Sequence, residues 1–216
     1  MPLFKDFVNL AYGLIKRQRE IEFVIKYNIN NLQFSDRPLC KIKVGVGTYS
    51  SGPIGIVSAV GQKLTIGKYD SIGKRLNIIM AGGHNTKLVS TYNFKARYFK
   101  SRDIFKHGNI TIGNDCWIGD DVTLIGGCII GNGVTIGTKS LVTSRQVLDD
   151  YGVYVGIPAK LLYYRFTKKQ IYKLLNIKWW NFPEDYIKDN IDLFYNKDIN
   201  YVIKKLEDIR RKRFLM

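Results

Sequence analysis

The chain holds only two histidines, His84 and His107. Histidine is the usual general base near neutral pH. A lone histidine is more often structural, so its surroundings decide. His84 lies in Ala81-Gly82-Gly83-His84-Asn85-Thr86. The two glycines let the backbone approach a ligand or adopt positive φ. His107 lies in Lys106-His107-Gly108-Asn109 and precedes a return to regular structure, which favours a structural role. No nucleophile constellation competes, because the Ser and Cys residues nearby point inward or lack a paired base. No phosphate loop of the Walker or dinucleotide type occurs, and no cysteine or histidine pattern has metal spacing.

The elements around these histidines follow an unusual period. Ile112, Ile118, Leu124, Ile130, Ile136 and Val142 are spaced by six, and glycine follows four of them at Gly113, Gly119, Gly131 and Gly137. An earlier train runs Ile54, Val60, Ile66, Ile72 and Ile78, with Gly55, Gly61, Gly67 and Gly73 behind the first four. A period of six fits neither a helix nor an ordinary strand. It is the hexapeptide repeat of a β-helix. Three repeats make a coil of about 18 residues whose aliphatics stack into one column. A second inward position, four residues after the aliphatic, holds Cys116, Val122, Cys128, Val134 and Ser140. The glycine is expected where the chain bends and a side chain would be strained.

The chain divides accordingly. Residues 1–40 form an N-terminal helical and extended segment. Residues 41–160 form the β-helix, broken by a loop over 79–109 that carries His84. Residues 161–216 form a helical extension, with helices over Phe166–Leu175 and Ile191–Met216. A long loop on a repetitive scaffold is usually functional.

Composition sets bounds. The 216 residues carry a net charge of +16, which favours anionic partners such as an acidic glycan, a nucleic acid or a membrane surface. The bland alternative is a Lys- and Ile-rich composition with no selected partner. Apolar positions Phe4, Phe7, Val8, Ala11, Leu14 and Ile15 make a basic amphipathic helix that packs on the protein or rests on a membrane. No apolar run spans a bilayer and no secretory leader is evident. The three cysteines, Cys40, Cys116 and Cys128, suit a reducing, cytoplasmic setting.

Four segments together resemble the hexapeptide acyltransferases. They are Leu64 to Gly73, Gly83 to Phe94, His107 to Gly119, and Val155-Gly-Ile-Pro-Ala-Lys160. The branch is similar to the xenobiotic acetyltransferases that modify chloramphenicol and streptogramins, and to their relatives that O-acetylate bacterial polysaccharides. Ile177-Lys-Trp-Trp-Asn-Phe-Pro183 is also similar to that branch. The resemblance implies a left-handed parallel β-helix, a homotrimer with sites between subunits, and acetyl-CoA as co-substrate without a metal. It implies His84 as catalytic base, and Trp117, Gly119, Gly137, Thr138, Thr143, Arg145 and Lys160 along the CoA path. Many members carry Thr-Lys after the last coil aliphatic, whereas this chain departs from them with Thr143-Ser144-Arg145 after Val142. Tyr49, Asn85, Tyr92 and Phe94 are the acceptor-side candidates, with flat rings suited to a sugar or a drug.

The expected activity is O-acetylation of a sugar hydroxyl of a surface polysaccharide or its precursor, with an acidic or diphosphate-linked acceptor favoured by the charge. Antibiotic O-acetylation is the alternative with the same chemistry, and a non-catalytic β-helix scaffold is a third reading. A carbonic-anhydrase type of coil needs three histidines and this chain has two. Nucleic-acid binding has charge in its favour but no recognisable module.

Overall fold

The structure, a computed structural model, describes residues 32–34, 38–100 and 104–214. The amphipathic segment expected over residues 1–20 lies outside the described residues. The chain winds into about five turns of a parallel β-solenoid with three faces. The first face stacks β1 (Lys41–Val44), β4 (Lys63–Ile66), β7 (Ile110–Ile112), β10 (Ile129–Ile130) and β13 (Val147–Leu148). The second stacks β2 (Tyr49–Ser50), β5 (Ser71–Ile72), β8 (Trp117–Ile118), β11 (Thr135–Ile136) and β14 (Gly152–Val155). The third stacks β3 (Gly55–Val57), β6 (Asn77–Ile79), β9 (Thr123–Ile125) and β12 (Leu141–Val142). β15 (Lys160–Tyr164) closes the second face by pairing antiparallel with β14.

Side chains of one column meet rung by rung, as the period of six requires. Ile112 pairs with Ile130 and Ile130 with Leu148 on the first face. Ile72 pairs with Ile118 and Ile118 with Ile136 on the second. Ile56, Ile78, Leu124 and Val142 form the third column. All of these lie in one buried cluster, together with Cys116, Val122, Cys128 and Val134. Burying each such aliphatic is worth roughly 1.5–3 kcal/mol.

The earlier train is corrected in its first two members. Ile56, not Ile54, is the rung partner of Ile78, and Val60 is 72% exposed. Ile54 is buried, but in the second inward column. The reason is an insertion. Register partners lie 18 residues apart between β7 and β10, yet 22 apart between β1 and β4. Four extra residues therefore sit at the corner between β3 and β4, and they carry Val60 out of the stack. Between β4 and β7 the separation is 46, so the large excursion leaves from the same corner one turn later.

The glycine expectation is also corrected. A Cβ on Gly67 would lie 1.8 Å from the Gly113 carbonyl oxygen, and one on Gly113 would lie 2.6 Å from Gly131 C. These glycines are needed because stacked coils approach closely, not because their φ is positive. Positive φ falls two residues later, on Tyr69, Asp115 and Gly133, and on Tyr151 at the equivalent place one coil on. There the ring of Tyr69 covers Gly47 and the ring of Tyr151 covers Gly133.

One interior position is charged. Asp70 is fully buried; its Oδ1 accepts the Cys116 N–H at 2.7 Å, while Oδ2 has no partner. Burial pushes the Asp70 carboxyl up to about 7. Asp115, at the same edge of the coil, is pushed to about 6 by burial, opposed by Arg165.

The C-terminal helices are α2 (Lys168–Ile177), a 3₁₀ turn (Trp179–Asn181), α3 (Glu184–Asp189), α4 (Ile191–Phe194) and α5 (Ile199–Phe214). The single helix expected over 191–216 is thus broken at residues 195–198. A capping box of Thr167 and Gln170 starts α2. These helices form a second core of Leu174, Ile177, Phe182, Val202, Ile203 and Leu206 around Tyr151. Trp179 meets Tyr69 at 5.3 Å between ring centroids, which seats the helices on the coil corner. No helix among the described residues is long and apolar enough to cross a membrane.

Candidate active site

The excursion leaves the third face after β6 and rejoins the first at β7. Its feet are tied together by backbone bonds: His107 N–H donates to Met80 O at 2.8 Å and Gly82 N–H to Phe105 O at 2.8 Å. Ala81 and Lys106 form an antiparallel bridge beside them. His107 therefore serves the stem through its backbone, as its position before β7 suggests. Beyond the stem, α1 (Phe94–Phe99) starts at Asn93, whose side-chain oxygen accepts the Ala96 N–H at 3.0 Å. The sequence reading assigned no regular structure there.

His84 sits at the near end of this loop, after Gly82 and Gly83 with φ of +112° and +95°. Its Nδ1 lies 2.5 Å from the Thr91 carbonyl oxygen. A carbonyl only accepts, so Nδ1 carries a proton, and in the neutral ring the lone pair then falls on Nε2. Next to it, Asn85 Oδ1 accepts the Lys87 N–H at 3.0 Å, which makes a local turn.

A cavity of about 410 Å³ opens beside the imidazole, lined by His84, Asn85, Leu88, Tyr92, Phe94 and Phe105 among others. Tyr92 and Phe94 meet at 4.8 Å and Phe94 stacks on Tyr98 at 6.1 Å. The fold thus joins His84, Asn85, Tyr92 and Phe94 in one place. Leu88 and Phe105 were not anticipated, because nothing in their spacing marks them. Tyr49 is elsewhere: it shares the outer row of the second face with Ser71 and Trp117. Trp117 is 61% exposed on that row.

The remaining candidates, Lys160 apart, border the third face. Gly119, Gly137 and Thr138 turn the corner between the second and third faces, and a Cβ on Gly119 would lie 2.7 Å from Thr138 N. Gly119 is filled against by the next coil. Thr143 and Arg145 turn the corner between the third and first faces, the one from which the His84 loop departs. Arg145 takes φ +62° there, and Ser144 Oγ donates to Gly126 O at 2.7 Å one turn below. Lys160 opens β15 and is exposed. Cys40, Cys116 and Cys128 are all buried and unpaired. Burial raises the Cys116 thiol and pushes Cys128 to about 12, so neither supplies a thiolate nucleophile.

Residues 109–144 match the family model "Bacterial transferase hexapeptide (six repeats)". A chloramphenicol acetyltransferase from Morganella morganii is 37% identical over 146 residues, covering 64% of this chain and 69% of that protein. A putative lipopolysaccharide biosynthesis O-acetyl transferase, WbbJ, from Escherichia coli K12 is 42% identical over 53 residues, covering 24% and 26%. Among solved structures, a hexapeptide-repeat acetyltransferase from Vibrio cholerae, complexed with acetyl coenzyme A, superposes with a TM-score of 0.51 at 20% identity, covering 70% and 79%. That last likeness shows the fold alone. The repeat, the solenoid and the long match to an acetyltransferase lead to one conclusion: this chain belongs to the hexapeptide-repeat transferase family and is an acyltransferase.

Proposed function

We propose that the chain transfers an acetyl group from acetyl-CoA to a hydroxyl of a sugar acceptor, with His84 as general base. The observation that carries this is the bond from His84 Nδ1 to Thr91 O, which leaves Nε2 ready to accept a proton beside a ligand-sized cavity. His84 takes the hydroxyl proton while the freed oxygen attacks the acyl carbon. It then returns that proton to the departing sulfur, so the imidazole ends as it began. A thioester supplies the activated acyl carbon. The buried thiols speak for direct transfer without a covalent cysteine stage.

Trp117, Gly119, Gly137, Thr138, Thr143, Arg145 and Lys160 are the residues we assign to the CoA path. Trp117 offers an exposed ring, and Arg145 and Lys160 offer exposed charge for phosphates. Asn85, Tyr92 and Phe94 face the acceptor. Tyr49 would join them only from a neighbouring subunit, because within one chain it lies on the second face. A homotrimer supplies that neighbour. The loop's exposed Leu88, Val89, Tyr98 and Phe99 are the apolar surface such a contact would cover. A cytoplasmic setting is part of this reading, with the N-terminal segment either packed on the protein or resting on a membrane.

Antibiotic O-acetylation is the second reading, favoured by the length of the match to chloramphenicol acetyltransferase and by the apolar lining of the cavity. Acetyl transfer is measured with a panel of neutral and acidic sugars, nucleotide-linked sugars, chloramphenicol and a streptogramin, with products identified by mass. Acetylated sugar supports the first reading and acetylated drug alone the second. No CoA release with any acceptor, and no thermal stabilisation by acetyl-CoA, would return the scaffold reading.

A further inference from the structure

The four-residue insertion and the long excursion leave the solenoid at one corner, and a single buried side chain joins them. Gln62 is 3% exposed. Its Oε1 accepts the Ala59 N–H at 2.8 Å, closing the small insertion. Its Nε2 donates to Met80 O at 2.7 Å and to Gly108 O at 3.2 Å. Met80 and Gly108 are the two feet of the excursion that carries His84. One carboxamide therefore uses both N–H bonds to hold the outgoing and returning chains together. Neighbouring contacts repeat the theme: Lys106 Nζ donates to Val60 O at 2.9 Å, and Lys63 N–H donates to Asn109 Oδ1 at 2.8 Å.

The feet need such a clamp. Regular rungs hold the coil below and above, whereas a chain that departs for nearly thirty residues is tied at its feet by only the few backbone bonds of the stem. Only three residues separate Met80 from His84, and two of them are the glycines at positive φ. The pose of the imidazole over the coil is thus set by the stem and by the Thr91 contact. A small shift of a reacting group from its productive position costs up to about 10²-fold in rate.

We propose that Gln62 is a positioning residue for catalysis: it clamps the feet of the His84 loop and so fixes where the base stands. This rests on His84 being the base. The decisive variant is Gln62→Glu, which keeps the acceptor for Ala59 but sets a carboxylate oxygen against two carbonyl oxygens. Gln62→Met, an apolar near-isostere, serves if Gln62→Glu does not yield folded protein.

Three measurements are made on the full-length protein: kcat, acetyl-CoA affinity by titration, and hydrogen exchange by peptide. The expected result is kcat lowered roughly 10- to 100-fold, acetyl-CoA affinity unchanged, and faster exchange confined to peptides within residues 80–108. A merely structural role would instead speed exchange throughout the coil. Wild-type kcat, or exchange raised uniformly, would overturn the proposal. His84→Ala is run in parallel. If it keeps activity, the base reading falls and the catalytic purpose of the clamp falls with it, while the exchange data still decide whether Gln62 holds the stem.

Discussion

His84 and Thr91 are joined across seven residues of loop, with the imidazole Nδ1 2.5 Å from the Thr91 carbonyl oxygen. The contact sets both the proton and the direction of the ring. It converts a histidine that sequence alone could only nominate into one with a defined free nitrogen.

His84→Ala is expected to lower kcat by roughly 10²- to 10⁴-fold with little change in acetyl-CoA affinity, because in the proposed mechanism the ring serves the acceptor hydroxyl. His107→Ala removes the only other histidine. Its backbone N–H, which ties the stem, survives that change, so most activity should remain. Steady-state kinetics on folded protein check both. Activity lost in His107→Ala but kept in His84→Ala would reverse the assignment.

Lys160→Ala is expected to weaken CoA binding more than dephospho-CoA binding. An exposed lysine acts as a point charge, so its worth depends on the phosphate charge it meets. Isothermal titration of both ligands at two salt concentrations decides this. Equal losses would show that Lys160 does not meet the 3′-phosphate.

Gly67→Ala tests why glycine follows the inward aliphatic. The added carbon would lie 1.8 Å from the Gly113 carbonyl oxygen, with backbone that cannot step aside. Overpacking of this kind typically costs about 1–3 kcal/mol, occasionally more. Gly52→Ala, whose added carbon meets Lys74 at ordinary contact distances of 3.4 Å and beyond, should be near neutral. Denaturant melts of the two variants should therefore separate. Ile130→Asp, which sets an unpaired carboxylate in the buried column, should abolish soluble expression.

The pH dependence of stability has a definite sign. Asp70 and Asp115 have folded values of about 7 and about 6, above the ordinary carboxylate value of 3.8. Between about 4 and 7 the native state then holds more protons than the unfolded chain, so stability falls as pH rises through that window and levels off above it. Asp70→Asn keeps an oxygen for the Cys116 N–H and removes the buried charge. It should flatten this slope and raise Tm at pH 8 by at least about 2 °C. A Tm that still falls as steeply between pH 5 and 7 would place the titration elsewhere.

The period of six determined the architecture from sequence alone. Ile112 to Val142 stack as their spacing requires, because a period of six returns a side chain to the same face every third repeat and the buried column tolerates nothing polar. The loop was equally legible, since 79–109 breaks the register. The sequence could not place Val60, because a four-residue insertion at a corner leaves the spacing of six looking intact while moving the chain out of the stack. Nor could it explain the glycines, whose need arises from a neighbouring coil 46 residues away in the case of Gly67 and Gly113. Tertiary structure alone paired His84 with Thr91, gathered Leu88 and Phe105 beside Tyr92 and Phe94, and set Gln62 between Met80 and Gly108. Those contacts depend on where an irregular loop closes, and loop closure leaves no periodic signal in a chain.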